Sequence, residues 1–145
     1  MKINIVADKS QSKGDYTNIL IDDNIINELN SAADDGEATE IVFHESLCCI
    51  TSSLIINTIQ AAARKLSRGG KLIIVDWDAY EIAMRFTRNR IQIEEFNGLI
   101  YGQRGQRKAT LTIFGLVNHI TKNLGLKCMK RRLDGVMMYL EFERQ

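Results

Sequence analysis

The residues of first chemical interest are acids at the ends of apolar runs. Glu45 follows the run Glu40–His44 (EIVFH), and Asp76 and Asp78 flank Trp77 at the end of Lys71–Asp76 (KLIIVD). If both runs are strands of an open α/β sheet, these carboxylates lie at its carboxyl edge, where such folds place ligands. Plainer roles also suit them: Glu45 as a solvated loop acid, Asp76 and Asp78 as caps of the next helix. His44 and His119 have no ligand at metal spacing, so no zinc pattern is present. Cys48 and Cys49 are adjacent and cannot chelate as C-x-x-C does. With Cys128 they read as small buried hydrophobes. Arg85, Arg88 and Arg90 are near one another on a predicted helix, and Lys130-Arg131-Arg132 end a predicted strand. Folded together they would form a basic face for phosphate or carboxylate, though few aromatics interleave to stack bases.

The elements that must position these groups follow from periodicity. Lys2–Ala7 (KINIVA) and Tyr16–Ile21 (YTNILI) predict two strands joined by the polar loop Asp8–Asp15. Ile25–Leu29 predicts a third short strand or a single helical turn, and Asn30–Glu37 a loop. Glu40–His44 predicts a buried strand. Ile55, Ile56, Ile59, Ala62, Ala63 and Leu66 recur at helical spacing after a cap at Ser52 or Ser53. Gly69-Gly70 is expected to close that helix. The strand Lys71–Asp76 then completes a βαβ unit with parallel strands. Ala79–Arg90 and Ile91–Ile100 predict helices broken near Asn89, and Leu111–Leu124 an amphipathic helix ending at Gly125. Leu126–Arg132 and Val136–Glu143 predict an antiparallel hairpin turning at Asp134-Gly135. The connection between the first two strands is too short for a helical crossover. It is a bare loop if those strands are parallel neighbours, and part of one sheet face then lacks a helix.

Composition bounds the remainder. The chain of 145 residues is 45% hydrophobic and 26% charged, which fits one globular domain over residues 1–145 and excludes a disordered or collagen-like chain. The uncharged stretch between Glu45 and Arg64 is rich in Thr, Ser, Asn and Gln, and is too polar to span a bilayer. A strand begins at once after Met1, so no signal peptide is expected. An odd number of cysteines argues against a disulfide framework and for a reducing cytoplasmic setting, with a phage or virion component as another home. Residues 1–63 carry 3 Lys/Arg and 10 Asp/Glu, a net −7; residues 64–145 carry 16 and 8, a net +8. This asymmetry suggests an acidic partner, a nucleic acid, or self-association between unlike ends.

The ordered series of motifs resembles class I S-adenosylmethionine (SAM)-dependent methyltransferases, in the compact branch that opens K-L-N-L-G-C-G. Lys2-Ile3-Asn4-Ile5-Val6-Ala7-Asp8 stands at that opening, and Tyr16-Thr17-Asn18-Ile19-Leu20 at the following G-Y-x-N-x-D. Thr39-Glu40-Ile41-Val42 matches D-E-I-x, and Leu47-Cys48-Cys49 stands where the branch has L-E-H. Leu66-Ser67-Arg68-Gly69-Gly70-Lys71-Leu72-Ile73-Ile74 stands at the family's L-K-P-G-G-x-L-x-I, and Glu94-Glu95-Phe96-Asn97-Gly98-Leu99-Ile100-Tyr101-Gly102 matches its E-E-F-N-x-L-x-Y-G. The resemblance implies a Rossmann-like α/β fold: a mostly parallel sheet with a C-terminal antiparallel hairpin, lacking the helix after strand one.

The same resemblance implies a SAM site formed by Ala7, Asp8, Asp22, Asp23 and Glu45, with no assigned catalytic residue. The motif departs from the family there. Glycines that let backbone approach the donor are replaced by Val6, Ala7 and Asp8, and Val6 is stiff at χ1. The ribose-binding acid aligns with Leu20, and Asp22 or Asp23 would serve only after a register slip. SAM is itself the activated donor, so an enzyme of this kind mainly positions donor and acceptor. Losing the donor pocket is therefore more damaging than losing a base. The expectation is a methyltransferase-like protein without catalysis, used for contacts with a protein partner or a second copy. The alternatives are an active, divergent SAM-dependent methyltransferase, and a nucleic-acid-associated protein using Arg85, Arg88, Arg90, Lys130, Arg131 and Arg132.

Overall fold

A computed structural model describes all of residues 1–145. Its centre is one six-stranded sheet in the order β2-β1-β3-β4-β6-β5. The strands are β1 (Lys2–Val6), β2 (Thr17–Leu20), β3 (Ala38–His44), β4 (Leu66–Trp77), β5 (Lys127–Asp134) and β6 (Met137–Glu143). The first four are parallel, and β6 runs antiparallel to both β4 and β5. The helices are α1 (Ile25–Ala32), α2 (Ser52–Lys65), α3 (Ala79–Thr87), α4 (Ile93–Tyr101) and α5 (Ile113–Asn123). The α/β architecture, the largely parallel sheet and the terminal hairpin are those read from the sequence.

β1 and β2 are parallel neighbours joined without a helical crossover. The link contains only a single 3-10 turn at Lys9–Gln11, capped by the Asp8 side chain. Polar side chains hold it where a helix would otherwise pack. Asn4 Nδ2 donates to the Gln11 carbonyl and to Asn18 Oδ1, and Asn18 Nδ2 donates to the Lys13 carbonyl.

Two elements differ from the sequence reading. Ile25–Leu29 is neither a strand nor a single turn but the start of the helix α1, which runs to Ala32 and shortens the expected loop. Its Ile25 and Leu29, four apart, both sit in the core, so a helical stripe was present in a segment too short to display a period. Gly69-Gly70 does not close α2. That helix stops at Lys65, and both glycines lie inside β4, where the pairing with β3 shifts register. Gly69 has φ +74, and a Cβ on Gly70 would stand 2.8 Å from the Ser67 carbonyl oxygen and 2.9 Å from that of Ala38. The pair makes a bulge and a close backbone approach.

Side chains alternate across the sheet. Ile3, Ile5, Ile41, Phe43, Leu72, Ile74, Leu140 and Phe142 share one face and join a 27-residue core with Ile25 and Leu29 of α1, Ile55 and Ile59 of α2, and Leu116 and Ile120 of α5. The other face carries Asn4, Val6, Glu40, Val42, His44, Lys71, Ile73, Val75, Tyr139 and Glu141, and none of these joins that core. α3 and α4 pack on each other through Phe86 and Phe96, at ring centroids 4.7 Å apart. The sheet order places β2-β1-β3 on one side and β4-β6-β5 on the other. The acidic first half of the sequence and its basic second half therefore become the two sides of the sheet.

Candidate functional site

The carboxyl edge of the parallel strands holds a cleft of about 680 Å³ lined by Ala7, Asp8, Trp77, Glu95, Leu99 and Arg107, among others. Its walls come from the loop after β1, the end of β4, α4 and the segment after α4. Arg107 closes one side. Its guanidinium carbon lies 4.2 Å from the Trp77 ring centroid, and its Nη1 donates to the Leu99 carbonyl. The segment carrying Arg107 is anchored from below, because Lys108 N and Ala109 N both donate to the Cys48 carbonyl, at 2.7 and 3.1 Å.

The loop after β1 is closed on itself. The backbone amides of Ala7 and Asp8 both donate to Gln11 Oε1 at 3.2 Å. Gln11 Nε2 in turn donates to Glu45 Oε2 at 3.0 Å. A donor-binding loop would aim such amides at a ligand; here one side-chain amide occupies both. Val6 is buried on the helix-free face of the sheet and does not line the cleft. The side chain that meets the amides of this loop is Gln11, not Val6.

Of the residues expected to hold SAM, Ala7 and Asp8 line the cleft, and Glu45 is joined to them through Gln11. Asp8 also caps its own loop by accepting from Ser10 N at 2.8 Å, which holds its carboxyl below the usual range. Asp22 and Asp23 are not among the cleft-lining residues. Asp22 accepts from Asn24 N, and Asp23 accepts from Thr51 N and Thr51 Oγ1 with Lys108 Nζ 3.9 Å away. Those bonds hold the Asp23 carboxyl below its ordinary range. Asp23 thus ties the end of β2 to the start of α2.

Asp76 and Asp78 do different work. Asp78 Oδ2 accepts from Glu81 N, so it caps α3, and Asp78 Oδ1 accepts from Ile113 N at the start of α5. Asp76 is fully buried and accepts from Cys48 N and Trp77 N, and burial pushes its pKa up. The basic residues of β5 do not share one face. Lys130 and Arg132 point to the helix-free side of β5 and Arg131 to the other, as strand alternation requires. Lys130 pairs with Glu141 at 3.3 Å, and Arg132 lies over the Tyr139 ring. Arg85 pairs with Glu81 at 3.1 Å.

Sequence reasoning placed Trp77 at the sheet edge between Asp76 and Asp78, and missed Gln11 and Arg107 as site residues. Gln11 had one available signal, its position three residues after the acid Asp8, which is capping-box spacing. Arg107 had none, because only the fold brings it to Trp77. No cluster of three or more His, Cys, Asp or Glu side chains is arranged to hold a metal ion. No helix is long and apolar enough to cross a membrane.

No protein-family model and no curated protein matches the sequence. Solved structures do match the fold. An O-methyltransferase family protein from Burkholderia thailandensis aligns with TM-score 0.58 and 16% identity over 88% of this chain and 36% of that one. An S-adenosylmethionine-dependent methyltransferase from Mesorhizobium loti aligns with TM-score 0.64 and 8% identity over 99% of this chain and 90% of that one. The plantazolicin methyltransferase BamL, solved with a triazolic desmethylPZN analog and SAH, aligns with TM-score 0.61 and 13% identity, covering 99% and 76%. The chain spans about a third of the length of the Burkholderia protein and of an O-methyltransferase family 2 protein from Planctomyces limnophilus, 36% and 31% respectively. The fold of this chain is the Rossmann-like α/β fold of SAM-dependent methyltransferases.

Proposed function

We propose that this is a methyltransferase-fold protein that does not transfer methyl groups and acts through protein contacts. The observation that carries the first half is the Gln11 amide, which takes both backbone donors of the loop after β1. Exposing those donors to a ligand means breaking two hydrogen bonds within the loop and the Gln11–Glu45 bond, and leaving a well-connected side chain to find new partners. Asp22 and Asp23, the candidates for holding a ribose, are engaged in local bonds outside the cleft.

The helix-free sheet face supports the second half. Ile73, Val75 and Tyr139 are only half-buried there, among the polar pairs Tyr16–Glu40 and Lys71–Glu141–Lys130. The occupant we favour is a second copy of the chain. A two-fold pairing of this face about an axis along the strands lays β2-β1-β3 of one copy over β4-β6-β5 of the other, twice over.

Calorimetric titration with SAM and SAH tests the loss of catalysis: no saturable binding is expected, and micromolar binding to the unaltered chain overturns it. Light scattering tests the pairing. A dimer that Tyr139→Asp converts to monomer is expected, and a strict monomer at high concentration contradicts it. One observation favours a second reading, an active and divergent methyltransferase: the cleft is large enough for a nucleoside-sized ligand and reaches Ala7 and Asp8. Under that reading Gln11 releases the loop when the donor binds, and the same calorimetry decides between the two.

A further inference from the structure

Cys48 and Cys49 form a short 3-10 turn with Leu47 between β3 and α2, just below the cleft. Their sulfurs are 3.9 Å apart, and both thiols donate to one acceptor, the Glu45 carbonyl, at 3.8 and 3.7 Å. Their adjacency argues from the sequence against chelation, but that expectation does not hold, because the turn presents both sulfurs on one side. Cys48 is 3% exposed and borders a small cavity shared with Trp77, Leu99 and Arg107, whereas Cys49 is half-buried and reachable. No third His, Cys, Asp or Glu completes a tetrahedral metal site. Two converging thiols without a third ligand suit a centre that already carries one substituent of its own and prefers soft sulfur donors.

We propose that Cys48 and Cys49 are a two-thiol site for a trivalent organic arsenical. An arsenical of the form R–As=O loses its oxygen and gains two As–S bonds. The two thiol protons leave with that oxygen as water, and arsenic stays trivalent, so no oxidant or reductant is needed. Cys49 bonds first, being accessible; the neighbouring Cys48 thiol and the Arg107 charge favour its thiolate, and burial and the Asp76 charge oppose it. Cys48, one residue away, then closes the ring. Cys128 stands apart on β5 and serves as an internal control.

The test uses phenylarsine oxide on the full chain. One equivalent should block two of the three thiols, survive excess monothiol and be reversed by a dithiol. Peptide mapping by mass spectrometry should find one arsenical, less one water, on the segment holding Cys48 and Cys49. Cys48→Ser and Cys49→Ser should each weaken retention about a hundredfold, because the second bond forms at the effective concentration of a tethered neighbour. Cys128→Ser should retain the adduct unchanged. One thiol blocked per arsenical in the unaltered chain, or an adduct mapped to Cys128, overturns the proposal. The mapping experiment decides the matter even if a serine variant fails to fold.

Discussion

The two faces of the sheet are built from the same six strands and meet different fates. One face packs Phe43, Ile74 and Phe142 under α1, α2 and α5, with each of these side chains wholly buried. The other face holds charges in place of helices. Glu141 is 5% exposed and is gripped by Lys71 at 3.0 Å and Lys130 at 3.3 Å, while Tyr16 donates to Glu40 across β1. The difference starts in the sequence, where too few residues separate β1 and β2 for a helix to cross. What a crossover helix would cover is instead sealed by hydrogen bonds or left half-buried.

If the covered face carries the stability, Phe142→Ala should cost about 3–5 kcal/mol in chemical denaturation. Ile73→Ala on the open face should cost about 1 kcal/mol, since its side chain is only half-buried. Equal losses would remove the distinction between the faces. Gly70→Ala comes next, at about 1–3 kcal/mol, because the added methyl meets two backbone carbonyls that cannot move cheaply. A neutral result would mean that the bulge between β3 and β4 is not rigid.

Glu141→Gln should cost about 1 kcal/mol at pH 7, a modest figure because both lysines reach solvent. Burial works against the Glu141 charge, but Lys71 and Lys130 outweigh it and hold the carboxyl below its ordinary value. A depressed carboxyl stabilises the fold above its unfolded pKa and loses that contribution as pH falls through the folded one. The stability gap between Glu141→Gln and the unaltered chain should therefore close in acid; a constant gap would show that the ion pairs contribute nothing. The smallest effect belongs to Tyr16. Its bond to Glu40, aided by burial, pushes its phenol up to about 12. A raised pKa stabilises the fold below the unfolded value near 10 and loses that contribution as pH rises toward 12. Burial and Glu141 also raise Tyr139, so absorbance titration of the four tyrosines should show late phases, of which Tyr16→Phe removes the latest.

Much of this architecture is legible in the residues. KLIIVD, the Asp134-Gly135 turn and the break near Asn89 each have a local physical cause, and Asn89 indeed takes φ +54. The short first connection already implied a face without a helix. The misreadings share one cause as well. Gly-Gly after an amphipathic run has the chemistry of a helix cap, and only the packing of Gly70 against Ala38 shows that it serves a bulge. The candidate site was less legible. Ala7 and Asp8 could be placed at the sheet edge because they follow a strand. That Gln11 turns back on their amides, and that Arg107 stacks on Trp77 from thirty residues away, depends on loop geometry with no period to read.

The closure of the first loop is tested most directly by amide NMR during a SAM titration. With Gln11 holding both donors, the Ala7 and Asp8 resonances should stay fixed up to millimolar SAM in the unaltered chain. Saturable shifts at those two amides, with release of the Gln11 side-chain resonances, would contradict it.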